Sequence, residues 1–445
     1  MIGSLRGKLS RLLIHYRTDD QFAELVRTSF FAFAVRMIGV VTGFMVTLIT
    51  GRYFGANSLG IVSICLAILS FASVFGKMGI DVALLKFISS FSATGNKEGM
   101  KASYISMLKI VVPVSLGISA LLYFFSGEIA DQLLNKPYLK RILEINAWVT
   151  LPLVLLIIHA EAVRSLKKIS LYTFLQTVSV SSIAFLLLVA FYFISPTLYV
   201  PAYIQFVSIF ISALLSIIVW MKASSFFKVK VINPVSKRTL IETSAAMFTT
   251  TLMQLLMTWA GTLILAAYST EADVGIYNAM SRISIFTNIS ILAVNSLVQQ
   301  RFATHFALND HKALKKESVQ ATRLIFLSSW PVFIGLFLFP HFILSLFGKD
   351  FPGHERELYI LLLTQLIVSY VGLPSQILNM TGRQNLLRNI SIVAAIVNVS
   401  LCFFLTARIG LMGTCIAQLF GTFVWNILSV AAVKKEFGFW TFFKY

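Results

Sequence analysis

The sequence predicts an all-α polytopic membrane protein with 12 transmembrane helices in two parallel-repeat six-helix bundles. Three observations predict it. Apolar residues make up 57% of the 445 and charged residues only 12%, with a mean hydropathy of +0.83, where ordinary soluble domains carry about 25% charge. Apolar runs of about 20 residues, enough for a hydrocarbon core of about 30 Å, begin near Ser29, Leu59, Tyr104, Asn146, Leu171, Leu198, Leu240, Val274, Leu324, Leu358, Ile390 and Leu411. The stretch Thr47–Ile61 also recurs at Thr262–Ile276, where Thr47, Leu48, Ile49, Tyr53, Gly60 and Ile61 match Thr262, Leu263, Ile264, Tyr268, Gly275 and Ile276 at one constant spacing. That spacing is close to half the chain and reads as an internal repeat.

Taken in order, the N-terminus is basic (Arg6, Lys8, Arg11, Arg17) but no short apolar core with a small-residue cleavage site follows it, so the first run reads as a retained span. That span carries Arg36 and a Gly39–Gly43 pair spaced for close helix packing. Six spans fall in an N-terminal half, 1–221, and six in a C-terminal half, 239–445, with a polar cytoplasmic linker at 222–238. No polar stretch is long enough for a separate soluble domain. Pro113 and Pro152 in spans three and four answer Pro331 and Pro374 in spans nine and ten, and interior prolines bend helices. Cys65, Cys402 and Cys415 stand singly in apolar runs and read as packing residues.

The formal net charge of +19 reads as topology and not as nucleic-acid binding. Of the 37 Lys and Arg residues, the N-terminus and the even-numbered connections hold most, the odd-numbered connections hold few, and Arg36, Lys77, Lys109 and Arg282 lie within spans. The positive-inside rule then puts both termini in the cytoplasm. With six spans each, the halves enter the membrane in the same direction, related by an axis along the membrane normal, and such repeats place a substrate path at their interface near the midplane.

No P-loop, nucleophile elbow or HExxH motif occurs, and nothing marks a nucleotide site or an enzyme. The chemistry is expected in the intramembrane charges, which are costly and normally face a bundle interior or an aqueous cavity. Arg282 lies about eight residues into span eight, near 12 Å deep at about 1.5 Å per residue, and reads as a cavity cation. For Arg36 and Lys109 two readings stand side by side, snorkelling to the interface or lining the cavity. Lys77 reads as an anchor. A cavity where these cations converge suits an anionic substrate, a phosphate or diphosphate. Asn278, Arg282, Asn288, Asn295 and Gln299 share one side of a helix at 100° per residue, where the amides serve either sugar hydroxyls or helix–helix contacts. Glu161 pairs with Arg164 across one turn, with His159 near by, and Asp81 lies at the membrane boundary. Both acids are candidates for ion coupling, although an interfacial ion pair is the simpler reading.

Arg52, Gly55 and Gly60, followed by Phe75-Gly76, Gly79-Ile80-Asp81 and Leu84-Leu85-Lys86, resemble the first two helices of polysaccharide exporters in the multidrug/oligosaccharidyl-lipid/polysaccharide (MATE/MOP-like) superfamily. The resemblance continues at Val274-Gly275-Ile276-Tyr277-Asn278, Arg282, Gly410, Gly413 and Ala417 and covers essentially the whole chain. Within the superfamily the chain is most similar to Wzx-type O-antigen flippases; the fourteen spans usual in lipid II flippases exceed the number here. This likeness implies a flippase that carries an undecaprenyl-diphosphate-linked oligosaccharide from the cytoplasmic to the periplasmic leaflet of the bacterial inner membrane by alternating access. It implies no cofactor, a possible H⁺ or Na⁺ gradient as the driving force, and polysaccharide polymerase machinery as a partner. Substrate contacts fall to Arg36, Lys109, Asn278, Arg282 and Asn288. Relatives often carry Asp where this chain has Gly261, so that acid's coupling role does not transfer. The alternative is a cation-coupled multidrug antiporter of the same fold, which requires deep acidic residues in the N-terminal half; a membrane glycosyltransferase or polymerase requires a larger periplasmic loop than any expected here.

Overall fold

A computed structural model describes residues 20–192, 197–224 and 237–443. Within them every regular element is helical, the form that satisfies backbone N–H and C=O groups where no water is present. Helix α1 (Asp20–Lys77) runs for 58 residues, more than twice the length of one crossing, and a single residue divides it. Gly55 takes φ 86° and ψ 169°, a backbone state that a side chain resists, so two limbs meet there. α2 (Ile80–Ala93), α3 (Lys97–Phe124) and α4 (Lys140–Ser165) follow, then α5 (Ile169–Thr173) and α6 (Ser179–Tyr192), joined by a wide π turn at Phe174–Val178, and α7 (Val200–Ser224).

The second half contains α8 (Lys237–Tyr268), α9 (Glu271–Ile285), α10 (Ile289–Ala307), α11 (His311–Leu338), α12 (Pro340–Ser345), α13 (Glu355–Val371), α14 (Pro374–Met380) and α15 (Gln384–Phe437). α15 is 54 residues long and broken at Ile409 and Gly410. Residues 225–236 of the expected linker and the basic residues of the extreme N-terminus lie outside the described residues.

Among the described residues eight helices are long and apolar enough to cross a membrane, or nine with the bent pair α13–α14 counted as one span. Two of the eight, α1 and α15, are the double-length helices. The segment expected as a single span from Val274 is α9 and α10, separated by a tight turn at Phe286–Asn288, and the pair is not among the eight. Its polar residues account for its lower apolarity. Pro113, Pro152 and Pro331 lie inside α3, α4 and α11, whereas Pro374 begins α14. The expected interior kink at Pro374 is therefore a break of 49° between two helices, set by Gly372 at φ 82°.

The repeat has a direct structural counterpart. A methyl group at Gly60 would collide with the Glu271 carbonyl, and one at Gly275 would collide with the Ala56 carbonyl. Ala56 and Gly60 occupy the same places in the first copy as Glu271 and Gly275 in the second. The two copies thus cross each other reciprocally, backbone against backbone, as small residues permit.

Around this crossing the halves brace each other in both directions. Asp350, in the turn before α13, accepts a hydrogen bond from the Ala56 amide at 3.1 Å and so caps the second limb of α1. Lys136, before α4, donates to the Ser269 carbonyl at 2.8 Å and lies 3.4 Å from Glu271, which also accepts from the Tyr138 hydroxyl. Arg52 donates to the Leu346 carbonyl at 3.2 Å.

Burial follows the same plan. At the crossing one apolar core runs through both halves, taking in Leu59, Ile61 and Leu143 with Val274, Ile276, Phe347, Phe351 and Cys415. Away from it each half has its own core, Ile80, Met107, Ile158 and Trp220 in the first and Phe302, Ile325, Ile377 and Val433 in the second. The halves share one core at the crossing and meet again at the opposite end, where a Cβ at Gly79 would lie 2.6 Å from the Ser244 carbonyl and Phe75 packs edge-on against Phe248 at 5.7 Å. Cys65, Cys402 and Cys415 are free and buried, as packing residues should be.

Candidate functional site

Below the crossing the second limb of α1 and helix α9 diverge, and two connected hollows open. The first, about 210 Å³, lies between the halves. Thr47 and Thr50 of α1, Ser63 of its second limb, Thr177 and Ser181 beside the π turn, and Gln205 of α7 face Trp259 of α8 and Asn278 and Arg282 of α9 across it. The second, about 360 Å³, lies within the second half, bounded by Thr258 and Thr262 of α8, Ser281 of α9, Gln365 of α13 and Gln418 of α15. Trp259, Asn278 and Arg282 line both, so the two form one cleft with Arg282 at its junction.

The Arg282 side chain is exposed although α9 is packed between α1, α8 and α13; the space it reaches is the cleft. A Cβ at Gly43 would lie in ordinary contact with Arg282 Nη1, 3.7 Å away, so Gly43 faces the guanidinium directly. Gly39 has the packing role expected of it, because a Cβ there would come within 2.7 Å of the Thr177 carbonyl. The π turn turns that carbonyl toward α1; such turns recur at functional sites. Arg282 is the one charged residue in the lining of either hollow among the described residues. The rest are hydroxyls, amides, Trp259 and aliphatic groups, so an anion meets a fixed positive charge and no opposing carboxylate.

Of the expected substrate contacts, Asn278 and Arg282 are brought together in the cleft. Asn278 donates to the Val274 carbonyl at 2.9 Å and to Thr262 Oγ1 at 3.4 Å. Arg36 is exposed on α1, seven residues before Gly43; at about 100° and 1.5 Å per residue it lies on nearly the same side, some 10 Å beyond. Lys109 is not brought to the cleft. It shares an exposed face of α3 with Pro113, Leu116 and Gly117, and α3 lines neither hollow. Its position supports the snorkelling reading.

Asn288 also lies outside the lining, and its amide donates to Gln365 Oε1 at 2.7 Å. Gln299 donates to Gln376 at 3.2 Å. The turn at Phe286–Asn288 thus divides the polar face expected along one helix. Above it the polar groups meet the cleft; below it they tie α10 to the helices beside it.

The two acids considered for ion coupling are both buried and paired. Asp81 accepts from Lys77 at 2.6 Å, and Glu161 lies 3.3 Å from Arg164, whose guanidinium is 5.0 Å from the centre of the Tyr172 ring. Lys77 is accordingly a buried partner of Asp81 and not an interfacial anchor. His159 is held between the Tyr104 hydroxyl and Ser216 Oγ, each 2.9 Å away. At Gly261 a Cβ would stand 3.1 Å from the Tyr277 hydroxyl and from Thr414 Cγ2.

Sequence reasoning missed Trp259, Gln205, Gln365 and Gln418. Three are amides inside apolar runs, a signal present in the sequence; for Trp259, one of six tryptophans, local sequence carries no distinguishing mark.

The family model for polysaccharide biosynthesis proteins matches residues 25–299, more than half the chain, and the MatE model matches residues 246–404. An uncharacterized membrane protein of Methanocaldococcus jannaschii is 23% identical over 397 residues, covering 83% of this chain and 76% of the relative. Among solved structures, an inward-facing multidrug resistance MATE family transporter of the MOP superfamily aligns with a TM-score of 0.73 at 14% identity, covering 92% of this chain and 98% of the other. The lipid II flippase MurJ in an inward closed conformation aligns with a TM-score of 0.72 at 16% identity, covering 92% and 87%. These likenesses identify the fold as that of the MOP superfamily transporters.

Proposed function

We propose that this chain, which belongs to the polysaccharide biosynthesis protein family, is a flippase for a lipid-linked oligosaccharide. Its substrate is an undecaprenyl-diphosphate-linked O-antigen or similar repeat unit, moved from the cytoplasmic to the periplasmic leaflet of the bacterial inner membrane. The observation that carries the reading is the cleft itself, with one positive charge, no carboxylate, and walls of hydroxyl and amide groups. Arg282 holds the diphosphate, for which a guanidinium offers paired donors in a planar fork. Arg36, on the same side of α1, meets the headgroup on its way in. Asn278 and the hydroxyls face the sugars, and the polyprenyl tail stays in the bilayer.

Counting each limb of α1 and α15 separately and α9–α10 as one crossing, the chain passes twelve times through the membrane with both termini cytoplasmic. The fused core at the crossing is then the periplasmic end, and the halves, joined by the linker at 222–238, rock about it in alternating access. Transport in this reading uses no cofactor. Glu161 and Asp81 remain the carboxylates through which an H⁺ or Na⁺ gradient would act, and each must first leave its cation. A cationic drug finds no acid to bind in the lining, which weighs against the multidrug antiporter.

Replacing Arg282 with Ala tests the reading. Surface polysaccharide should be lost from cells that depend on this chain while the variant stays at wild-type levels in the membrane; full export by the variant would overturn the role of Arg282. Increased drug resistance in an efflux-deficient host carrying the wild-type chain would favour the antiporter.

A further inference from the structure

The hollow within the second half extends away from Arg282 into a region with no charged residue, and two glutamines stand on its walls. Both are held from behind by an asparagine. Asn288 Nδ2 donates to Gln365 Oε1 at 2.7 Å, and Asn398 Nδ2 is shared between the Ala417 carbonyl at 3.3 Å and Gln418 Oε1 at 3.4 Å. The carbonyl oxygens Asn288 Oδ1 and Asn398 Oδ1 are themselves buried without a protein partner, as are Asn146 Oδ1 and Asn295 Oδ1 elsewhere. With its oxygen engaged behind it, each glutamine can turn its NH₂ group into the hollow. If the Asn288–Gln365 pair is turned over together, Gln365 offers a carbonyl to the hollow instead, whereas the Ala417 carbonyl fixes the orientation of Asn398; a hydroxyl group can pair with either end of an amide.

Resting on the flippase reading above, we infer that Gln365 and Gln418 form a hydroxyl-reading subsite for an uncharged saccharide, with Asn288 and Asn398 as positioning residues. Three features specify that chemistry. The volume of about 360 Å³ falls within the usual range of small-molecule pockets, about 300–1,000 Å³. Neutral amides and the hydroxyls of Thr258 and Ser281 match a polyol, whereas neither a carboxylate nor an amine on the sugar would meet an opposite charge. Trp259 borders both hollows and presents a broad apolar ring against which the carbon face of a sugar can lie while its diphosphate stays on Arg282. The subsite recasts Asn288, which acts through Gln365 and does not touch the sugar.

The test uses the full chain in detergent or nanodiscs, with two probes: undecaprenyl diphosphate, and the same lipid carrying a neutral disaccharide. Wild type should bind the glycosylated lipid at least about tenfold more tightly, because an unpaired amide in the hollow penalises the bare one. The variants Gln365→Leu and Gln418→Leu should each shrink that preference, and together bring the two lipids within about twofold. Asn288→Ala should shrink it too but add little to Gln365→Leu, the non-additivity expected of residues acting as one unit. If a leucine variant fails to fold, Gln365→Ser and Gln418→Ser replace it, with unfolding temperature as the control. A wild type that treats the two lipids alike, a double variant that keeps the preference, or additive effects of Asn288→Ala and Gln365→Leu would overturn the subsite. Loss of binding to both lipids in the wild type, or undiminished binding of bare lipid by Arg282→Ala, would overturn the flippase reading on which it rests.

Discussion

Two helices leave the crossing, one from Gly60 and one from Gly275, and within two turns they serve different ends. At the crossing the halves are interchangeable, each glycine lying on the backbone of the residue that matches the other half's contact. Further along, Ser63 stands where the second half has Asn278, and Ala67, fully buried, stands where it has Arg282. Ser63 spends its hydroxyl on the Leu59 carbonyl at 2.8 Å, while Arg282 opens into the cleft. The repeat sets a common frame, and each half then fills equivalent places with different chemistry: the first supplies hydroxyls, the Gln205 amide and a packed wall, the second the charge, most of the amides and further hydroxyls. A cleft built in this way has a polarity across it, which two identical halves could not provide.

That contrast is sharpest where a side chain is moved to its equivalent place. Ala67→Arg would bury an unpaired guanidinium, and it should destabilise the chain by several kcal/mol. Little or no folded protein should reach the membrane, whereas Arg282→Ala should be folded and inactive; a well-folded Ala67→Arg would show that the first half also opens on water there.

The glycines test the opposite claim, that the halves are equivalent at the crossing. Gly60→Leu and Gly275→Leu each force a side chain onto a carbonyl, and overpacking of this kind costs about 1–3 kcal/mol or more. Thermal unfolding of the two purified variants should show similar losses, and tolerance of one but not the other would break the symmetry.

Next come the cross-half braces. Lys136→Ala leaves Glu271, which is nearly buried, without its cation, and removal of a donor to a buried charged group costs about 1–3 kcal/mol. Asp350→Ala removes a helix cap on the other half, worth about 1 kcal/mol. Cysteines placed on the two sides of the crossing should cross-link more slowly in either variant; unchanged rates would mean that the apolar core alone holds this end. The smallest effect belongs to Arg52→Ala, whose exposed hydrogen bond to the Leu346 carbonyl should contribute less than about 1 kcal/mol, read as a shift of at most a few degrees in the same unfolding assay.

Much of the frame is local, and the sequence alone determined it. Long apolar runs demand helices because hydrocarbon leaves the backbone no other partner. The repeated Thr47–Ile61 stretch marks the two segments that cross, and the glycines within it mark where chain direction changes or backbones touch, since only glycine fits there. Arg282 was legible for the same kind of reason, as a charge too deep to reach the interface on its own stem.

Tertiary structure alone decided which polar groups share the cleft. A helical face can be read from spacing only while the helix continues, and the turn at Phe286–Asn288 sends Asn278 to the cleft and Asn288 to Gln365. Lys109 and Arg36 look alike in sequence, yet α3 turns one outward while α1 carries the other along the side of Gly43. Gln365, Gln418 and Trp259 come from three helices far apart in the chain and meet Arg282 only because those helices pack around α9. Spacing along one helix fixes angles about its own axis; the position of that axis relative to others depends on packing across the whole bundle.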